Sequence, residues 1–502
     1  MTQHLLPTEA PITEDDAFLA EVLQHASIPT LMMSMLHMSG DTSILRGTVR
    51  PKPPQMGEVQ GYLSEDEKAQ VRAQALAVIR RYRDSGCRLP PPPSPETVRE
   101  MMNFIIGTQL DEGFLPLMLE ELALDGHDAR APRWQKPVPD AAKRAFHVVV
   151  IGAGMSGLLA AMRLKEIGVA FTVIEKNDAV GGTWFENRYP GCRVDVCNHF
   201  YSYSFDPNHD WSEYFSRRDE LFAYFDGFAD KHGLRPHIHF RTEVVSAVFD
   251  EARALWSVTI RRADGTQETL QANAVISAVG QLNRPMIPQV RGAEKFRGAA
   301  FHTAQWQPQH ALRGKRIAVI GSGASAFQVV PELAKIAGQL YVFQRSATWM
   351  FPNPDYHAPV NDAKKWLLKH LPYYARWYRF LVFWPGSGAA IERWTIDPAW
   401  PHQQRSVNAL NEQEREYYIA WLRQQIGDDE TLLRKVTPDY PPGGKRMLQD
   451  NGTWLRALKQ PNVELVTEAL EALDETGIVG RDRHYDVDVI VYATGFHANK
   501  VL

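Results

Sequence analysis

Cysteine is scarce in this chain: Cys87, Cys192 and Cys197 are the only three in 502 residues. So small and odd a number excludes a disulfide framework and points to a reducing compartment, so a cytoplasmic location is expected. Long apolar runs are lacking too. The nearest candidate, Val148 to Met162, is interrupted by three glycines and falls short of the ~20 apolar residues a spanning helix needs, so no stable membrane insertion is expected. The N-terminal stretch MTQHLLPTEAPITEDD has no basic region followed by an apolar run, so no secretion signal is expected. Neither sign of charge dominates. A net charge of −4 gives no reason to expect nucleic acid or an anionic membrane as a partner. No spacing of His, Cys, Asp or Glu suggests a metal site.

What is present is enough apolar residue, 44% of a 502-residue chain, for about three domains. Residues 1–143 read as a helical extension, with EDDAFLAEVLQHA and SEDEKAQVRAQALAVIRRYRDSG carrying apolar residues at helical spacing. Ser64 and Glu67 form a capping-box pattern, and Gly86 a stop. The proline-rich run from Pro90 to Pro95 is a stiff connector. This extension is expected to pack or to dimerise, giving a homodimer. From Arg144 the pattern changes to strand, glycine turn, helix, strand, and it does so again from Lys315. Antiparallel strands with an Ala-Asp-Gly-Thr turn lie between. A helical, aromatic-rich insert follows at about 355–440, including KKWLLKHLPYYARWYRFLVFW, which reads as core or channel lining. The expected fold class is α/β: two doubly wound, Rossmann-like dinucleotide-binding domains plus a helical N-terminal domain. The expected division is 144–285 for the first dinucleotide domain, 286–460 for the second with its helical insert, and 461–502 for a return to the first, left incomplete.

The first glycine loop is Gly152-Ala-Gly154-Met-Ser-Gly157. The first glycine permits the turn, the second lets backbone approach a pyrophosphate, and the third lets helix pack on strand. The pyrophosphate then rests on the free N–H groups of the helix N-terminus. Glu175, 23 residues beyond Gly152, ends the next strand and suits a ribose 2′-hydroxyl while repelling a 2′-phosphate, which points to FAD. The second loop is Gly321-Ser-Gly323-Ala-Ser-Ala326, with the permitted alanine at its third position. At the end of its following strand, Arg345 stands where Glu175 stands in the first unit, and an arginine suits the 2′-phosphate of NADPH.

Two further segments narrow the class. GGTWFENRYPGCRVDV at 181–196 and Phe296-x-Gly298-x-x-x-His302-x-x-x-Trp306 together resemble the flavin-side motif and the signature of the Baeyer–Villiger monooxygenases, over residues from about 145 onward. Gln307 after the tryptophan is a minor departure from that pattern. The long helical extension is similar to that of the 4-hydroxyacetophenone monooxygenase branch. The resemblance implies an NADPH- and O2-dependent flavoprotein that converts ketones, aryl ketones on the branch resemblance, to esters through a flavin C4a-peroxide. It implies that Gly182, Thr183 and Trp184 lie against the flavin, that Arg446 is the active-site arginine and that Asp195 holds it. It implies further that Lys445 adds a contact to the NADPH 2′-phosphate and that His302 links domain motion to the site. AVG at 278–280 and ATGF at 493–496 match the crossings between the two domains. The chemistry asks for such residues independently: a permanent cation stabilises developing oxyanion charge, and arginine cannot release its proton at neutral pH.

Three rival readings remain. Cys192 and Cys197 have the C-x4-C spacing of disulfide reductases, although Trp184 stands where their first redox cysteine would follow GGT. A nitrogen- or sulfur-oxygenating flavin monooxygenase is opposed by Trp306 and by Lys445-Arg446. The chain stops at Leu502, soon after ATGF, where the family usually runs on, so a truncated, catalytically incompetent dinucleotide-binding fragment is the third.

Overall fold

The computed structural model describes residues 11–498. Residues 1–10, on which the secretion-signal reading partly rests, and residues 499–502, with the stop at Leu502, lie outside the described residues. The chain divides into two compact units. The first comprises 1–130, 194–216 and 348–452; the second comprises 131–193, 217–347 and 453–502.

The second unit holds the sheets. His147–Ile151 pairs in parallel with Ala170–Ile174 on one side and with Ala274–Ser277 on the other, and Ala170–Ile174 pairs with the short strand Ile238–His239. These strands are continuous apolar runs because a parallel strand is covered on both faces. The antiparallel strands expected between the glycine loops are Thr242–Asp250, Leu255–Arg262 and Gln267–Ala272. Their turn residue Gly265 has φ +85°, the left-handed region glycine enters without strain. Val258, Ile260 and Ala272 pack with Val149 and Ile174 of the parallel sheet in one buried cluster.

The second parallel sheet runs in the spatial order Val463–Val466, Gln339–Phe343, Arg316–Ile320, Val489–Tyr492, Ala299–His302. This corrects the expected return of 461–502 to the first dinucleotide domain. Of the strands after residue 460, Val463–Val466 and Val489–Tyr492 complete the second sheet, and Leu470–Leu473, Gly477–Gly480 and His484–Asp486 form a small antiparallel sheet of their own. Val489–Tyr492 is buried along its whole length and lies between the strand that feeds the second glycine loop and the signature strand. A four-residue apolar run is stable when flanked on both sides, and an edge position would expose it.

The first unit is helical. Ile28–Ser39 is buried at every position from Ile28 to Met38, so it is a central helix rather than an amphipathic surface one. Glu65–Asp84 packs beside it. Its capping box is present in both directions: the Ser64 side chain accepts from the Glu67 N–H, and the Glu67 carboxylate accepts from the Ser64 N–H at 2.7 Å. The helical insert, expected within the second dinucleotide domain, belongs to this unit instead. Its aromatic face explains why. Tyr374, Trp377, Tyr378 and Phe380 are buried in one cluster with Leu31, Met33, Leu36 and Met101 of the N-terminal helices. Burial of each such ring contributes ~1.5–3 kcal/mol. Polar bonds fix the match: Trp377 Nε1 donates to His37 Nε2 at 3.0 Å, and the Ser27 N–H donates to the Tyr374 hydroxyl at 2.7 Å. Among the described residues no helix is long and apolar enough to cross a membrane.

Candidate active site

Each glycine loop lies between a strand end and a helix whose first turn has no side-chain cap: Met155–Glu166 after Gly154, and Ala324–Ala334 after Gly323. Backbone N–H groups without a side-chain cap and a positive helix end at these points suit a phosphate. In the first loop Gly152 has φ +101°, and a Cβ there would lie 2.7 Å from the Ala278 carbonyl oxygen. A Cβ on Gly157 would lie 1.8 Å from the Gly152 carbonyl oxygen, so only glycine lets this helix approach. In the second loop Gly321 has φ +117° and faces the Ala493 carbonyl oxygen, which a Cβ would meet at 2.4 Å. Ala278 and Ala493, from the AVG and ATGF segments, thus back the two loops in the same way. Gly323 differs. A Cβ on it would meet nothing within 4 Å, so its bareness serves no contact within the protein and leaves room for a ligand. The loops therefore fit dinucleotide pyrophosphates.

The GGTW segment closes on the first loop. The Gly181 N–H donates to the Ala153 carbonyl at 3.0 Å, and Gly182, at φ +53°, passes so near Gly154 that a Cβ would lie 2.9 Å from its Cα. Thr183 and Trp184 begin the short helix Thr183–Glu186; Trp184 is buried, and Thr183 Oγ1 accepts from the Asn187 amide at 2.9 Å. Glu175 is buried. One carboxylate oxygen accepts from the Ala153 N–H at 2.7 Å and the other from the Asn177 N–H at 2.9 Å, so the acid is locked against the glycine loop with lone pairs left for a ribose.

Arg345 is displaced from its expected position by one residue. The Gly152 N–H donates to Ile174 and the Gly321 N–H donates to Phe343, so Phe343 corresponds to Ile174 and Gln344 to Glu175. The same 23-residue step from Gly321 would have identified Gln344 in the sequence. A neutral buried Gln removes the carboxylate that would repel a phosphate. Arg345, next along, is exposed and makes no ion pair among the described residues.

His302 ends the signature strand, fully buried. Its Nδ1 accepts from the Ala304 N–H at 3.1 Å, which places the ring proton on Nε2. Burial holds its pKa below the ordinary imidazole value, with the Gly495 carbonyl opposing in part. Phe496 meets its ring edge to face at 5.5 Å. Trp306 packs edge to face on Phe301 at 5.1 Å. A link that sequence reasoning missed is Gln328, in the helix after the second glycine loop. Its Oε1 accepts from the Tyr189 hydroxyl at 2.8 Å and its Nε2 donates to the Arg193 carbonyl at 2.9 Å, tying the GGTW-to-Arg193 segment to the second dinucleotide domain.

In the first unit, Asp195 and Arg446 come together: an Arg446 Nη2 donates to Asp195 Oδ2 in an ion pair across 251 positions of sequence. Lys445 lies over the Tyr440 ring, 4.3 Å from its centroid. The loop that carries them is fixed by Trp349 Nε1 donating to the Tyr440 carbonyl at 2.7 Å and by the Asn411 amide donating to the Pro442 carbonyl at 3.1 Å. Cys192 and Cys197 are free thiols, and burial pushes each up to about 12. Neither is a thiolate at neutral pH, which argues against the disulfide-reductase reading.

Comparison with known proteins agrees with this geometry. Residues 145–358 match the family described as flavin-binding monooxygenase-like. A monooxygenase of Sinorhizobium fredii is 36% identical over 488 residues, covering 96% of this chain and 72% of that protein. A Baeyer–Villiger monooxygenase of Pseudomonas aeruginosa is 36% identical over 378 residues, covering 75% of this chain and 68% of that one. Among solved structures, an oxidised steroid monooxygenase bound to NADP superposes with a TM-score of 0.59 at 34% identity, over 70% of this chain and 71% of its own. An open cyclohexanone monooxygenase superposes with a TM-score of 0.59 at 29% identity, over 70% and 74%. The chain belongs to the Baeyer–Villiger monooxygenase family of flavin-binding monooxygenases.

Proposed function

We propose that this protein is an FAD- and NADPH-dependent monooxygenase that converts ketones, aryl ketones such as 4-hydroxyacetophenone foremost, to esters with dioxygen. The observation that carries this reading is the Asp195–Arg446 ion pair in a chain with two uncapped glycine-loop helices. When bound, FAD would supply acceptance of a hydride from NADPH and activation of dioxygen for insertion beside the ketone carbonyl.

The chain's own residues supply binding and electrostatics. Gly152, Gly154, Gly157 and the helix they open hold the FAD pyrophosphate, and Glu175 its ribose. Gly182, Thr183 and Trp184 line the flavin. Gly321 and Gly323 hold the NADPH pyrophosphate, and Arg345 its 2′-phosphate. Arg446 stabilises the negative charge that develops on the ketone oxygen and cannot quench it by releasing a proton, because a guanidinium stays protonated. Asp195 holds that guanidinium in place. His302 keeps its proton on Nε2 and acts through the strand crossing at Ala493–Phe496, which it touches through Phe496.

The test is direct. The purified protein, loaded with FAD, is given NADPH, air and a panel of aryl, cyclic and aliphatic ketones, with an amine and a sulfide as controls. Ester or lactone formation with one ketone class dominant supports the reading. Turnover of only the amine or sulfide replaces it with nitrogen or sulfur oxygenation.

A further inference from the structure

The bonds to the Tyr440 and Pro442 carbonyls fix the start of the loop that carries Arg446, ahead of its two glycines. Arg446 follows Gly443, Gly444 and Lys445, and its side chain is 59% exposed. A partly exposed pair of this kind contributes little by itself, so Asp195 can hold the guanidinium only if its own position is fixed. Beneath it lies a buried amide relay. Gln449 is 4% exposed; its Nε2 donates to the Asp195 carbonyl oxygen at 2.7 Å, and its Oε1 accepts from Asn353 Nδ2 at 2.6 Å. Asn353 is buried as well. Its Oδ1 accepts from the Asp355 N–H at 3.0 Å, and its own N–H donates to the Asp450 carbonyl at 2.9 Å. Gly57, from the N-terminal helical region, abuts this amide: a Cβ there would lie 3.3 Å from both Cγ and Oδ1 of Asn353. Asn353 is thus held by bonds at both its side chain and its backbone.

The relay has an address at both ends of the pair. Gln449 belongs to the strand Leu448–Asp450, paired in parallel with Met350–Pro352, and stands three residues beyond Arg446. It therefore sits in the strand that follows the arginine's loop while bonding to the backbone of its aspartate. We propose that Gln449, oriented by Asn353, is a positioning residue that sets the Asp195–Arg446 pair and through it the oxygenation step; this rests on the function proposed above. A hydrophobic side chain of the same size would leave the Asp195 carbonyl and an Asn353 N–H without partners, and the cost of such orphans falls on the most yielding segment, the glycine loop.

Hydrogen–deuterium exchange on the flavin-free protein tests the placement, comparing wild type with Gln449→Met. The expected result is exchange about fivefold faster in peptides spanning 194–197 and 443–448, the scale of one lost hydrogen bond, with the parallel sheets unchanged. In the FAD-loaded protein, reduction by NADPH keeps its rate while ester formed per NADPH consumed falls about fivefold and hydrogen peroxide rises to match. Adding Gln449→Met to Arg446→Ala causes no further loss. Unchanged exchange in those two segments overturns the proposal, and so does a uniform rise across the whole protein, which would make Gln449 a packing residue. Should Gln449→Met fail to fold, Gln449→Glu, which retains size and polarity, is read by the same exchange pattern. A wild-type protein that forms no ester sinks the ketone reading, and the exchange result still decides the positioning role.

Discussion

At Arg446 the property that matters is a charge that cannot be lost, so its replacement separates binding from chemistry. Arg446→Ala is expected to leave flavin reduction by NADPH within about twofold and to lower ester formation ~100-fold or more, the size of a missing oxyanion donor. Stopped-flow absorbance and product analysis check the two halves. Arg345→Ala should raise KM for NADPH ~10-fold or more and leave NADH nearly unaffected, as removal of one phosphate contact does; steady-state rates with both cofactors decide it. Lys364 offers a test of stability. It is buried, its Nζ donates to the Tyr374 hydroxyl at 3.1 Å and lies 3.8 Å from the centre of the Tyr378 ring, and burial lowers its pKa to about 7. The unfolded chain keeps that proton up to about pH 10.4. Between about 7 and 10.4 the unfolded state therefore binds more protons, and stability rises with pH by up to ~1.4 kcal/mol per unit, the gain being lost as pH falls through 7. Lys364→Met should unfold at higher urea than wild type near pH 6.5, with the difference shrinking toward pH 10. A pH-independent difference would contradict this.

Among the elements, the two glycine loops were legible in the sequence because close approach dictates their spacing. Their outcomes under substitution should differ. Gly157→Ala places a Cβ 1.8 Å from a carbonyl oxygen and should cost several kcal/mol of stability along with FAD. Gly323→Ala meets open space, so melting of the flavoprotein should shift by less than ~0.5 kcal/mol while NADPH affinity falls. Calorimetry with and without NADPH separates the cases. What the sequence concealed at this scale was register and partnership. Residue type pairs Arg345 with Glu175, whereas the backbone bonds to Ile174 and Phe343 show that Gln344 holds that position. Val489–Tyr492 reads as an apolar strand in isolation, but its neighbours lie more than a hundred residues upstream and local pattern cannot choose between sheets. Gln449 carries no sequence signal, because an isolated amide beside a motif has no periodicity; only the contact with Asp195 reveals it.

For the molecule as a whole, the α/β class with two dinucleotide loops and a helical part was readable from patterning, and the family from the signature at 296–306 with the residues at 181–196. The allocation of segments was less so. The insert at about 355–440 joins the N-terminal helices in the first unit, because its aromatic face and theirs are both too apolar to remain apart. Asp195 and Arg446 meet inside that same unit, whereas both glycine loops belong to the second. The central claim is ketone oxygenation, and oxygen isotope incorporation tests it most directly. With FAD, NADPH, 4-hydroxyacetophenone and 18O2, the predicted product is an ester carrying one 18O in its new bridging oxygen. Consumption of NADPH with no labelled ester from any ketone in the panel would contradict it.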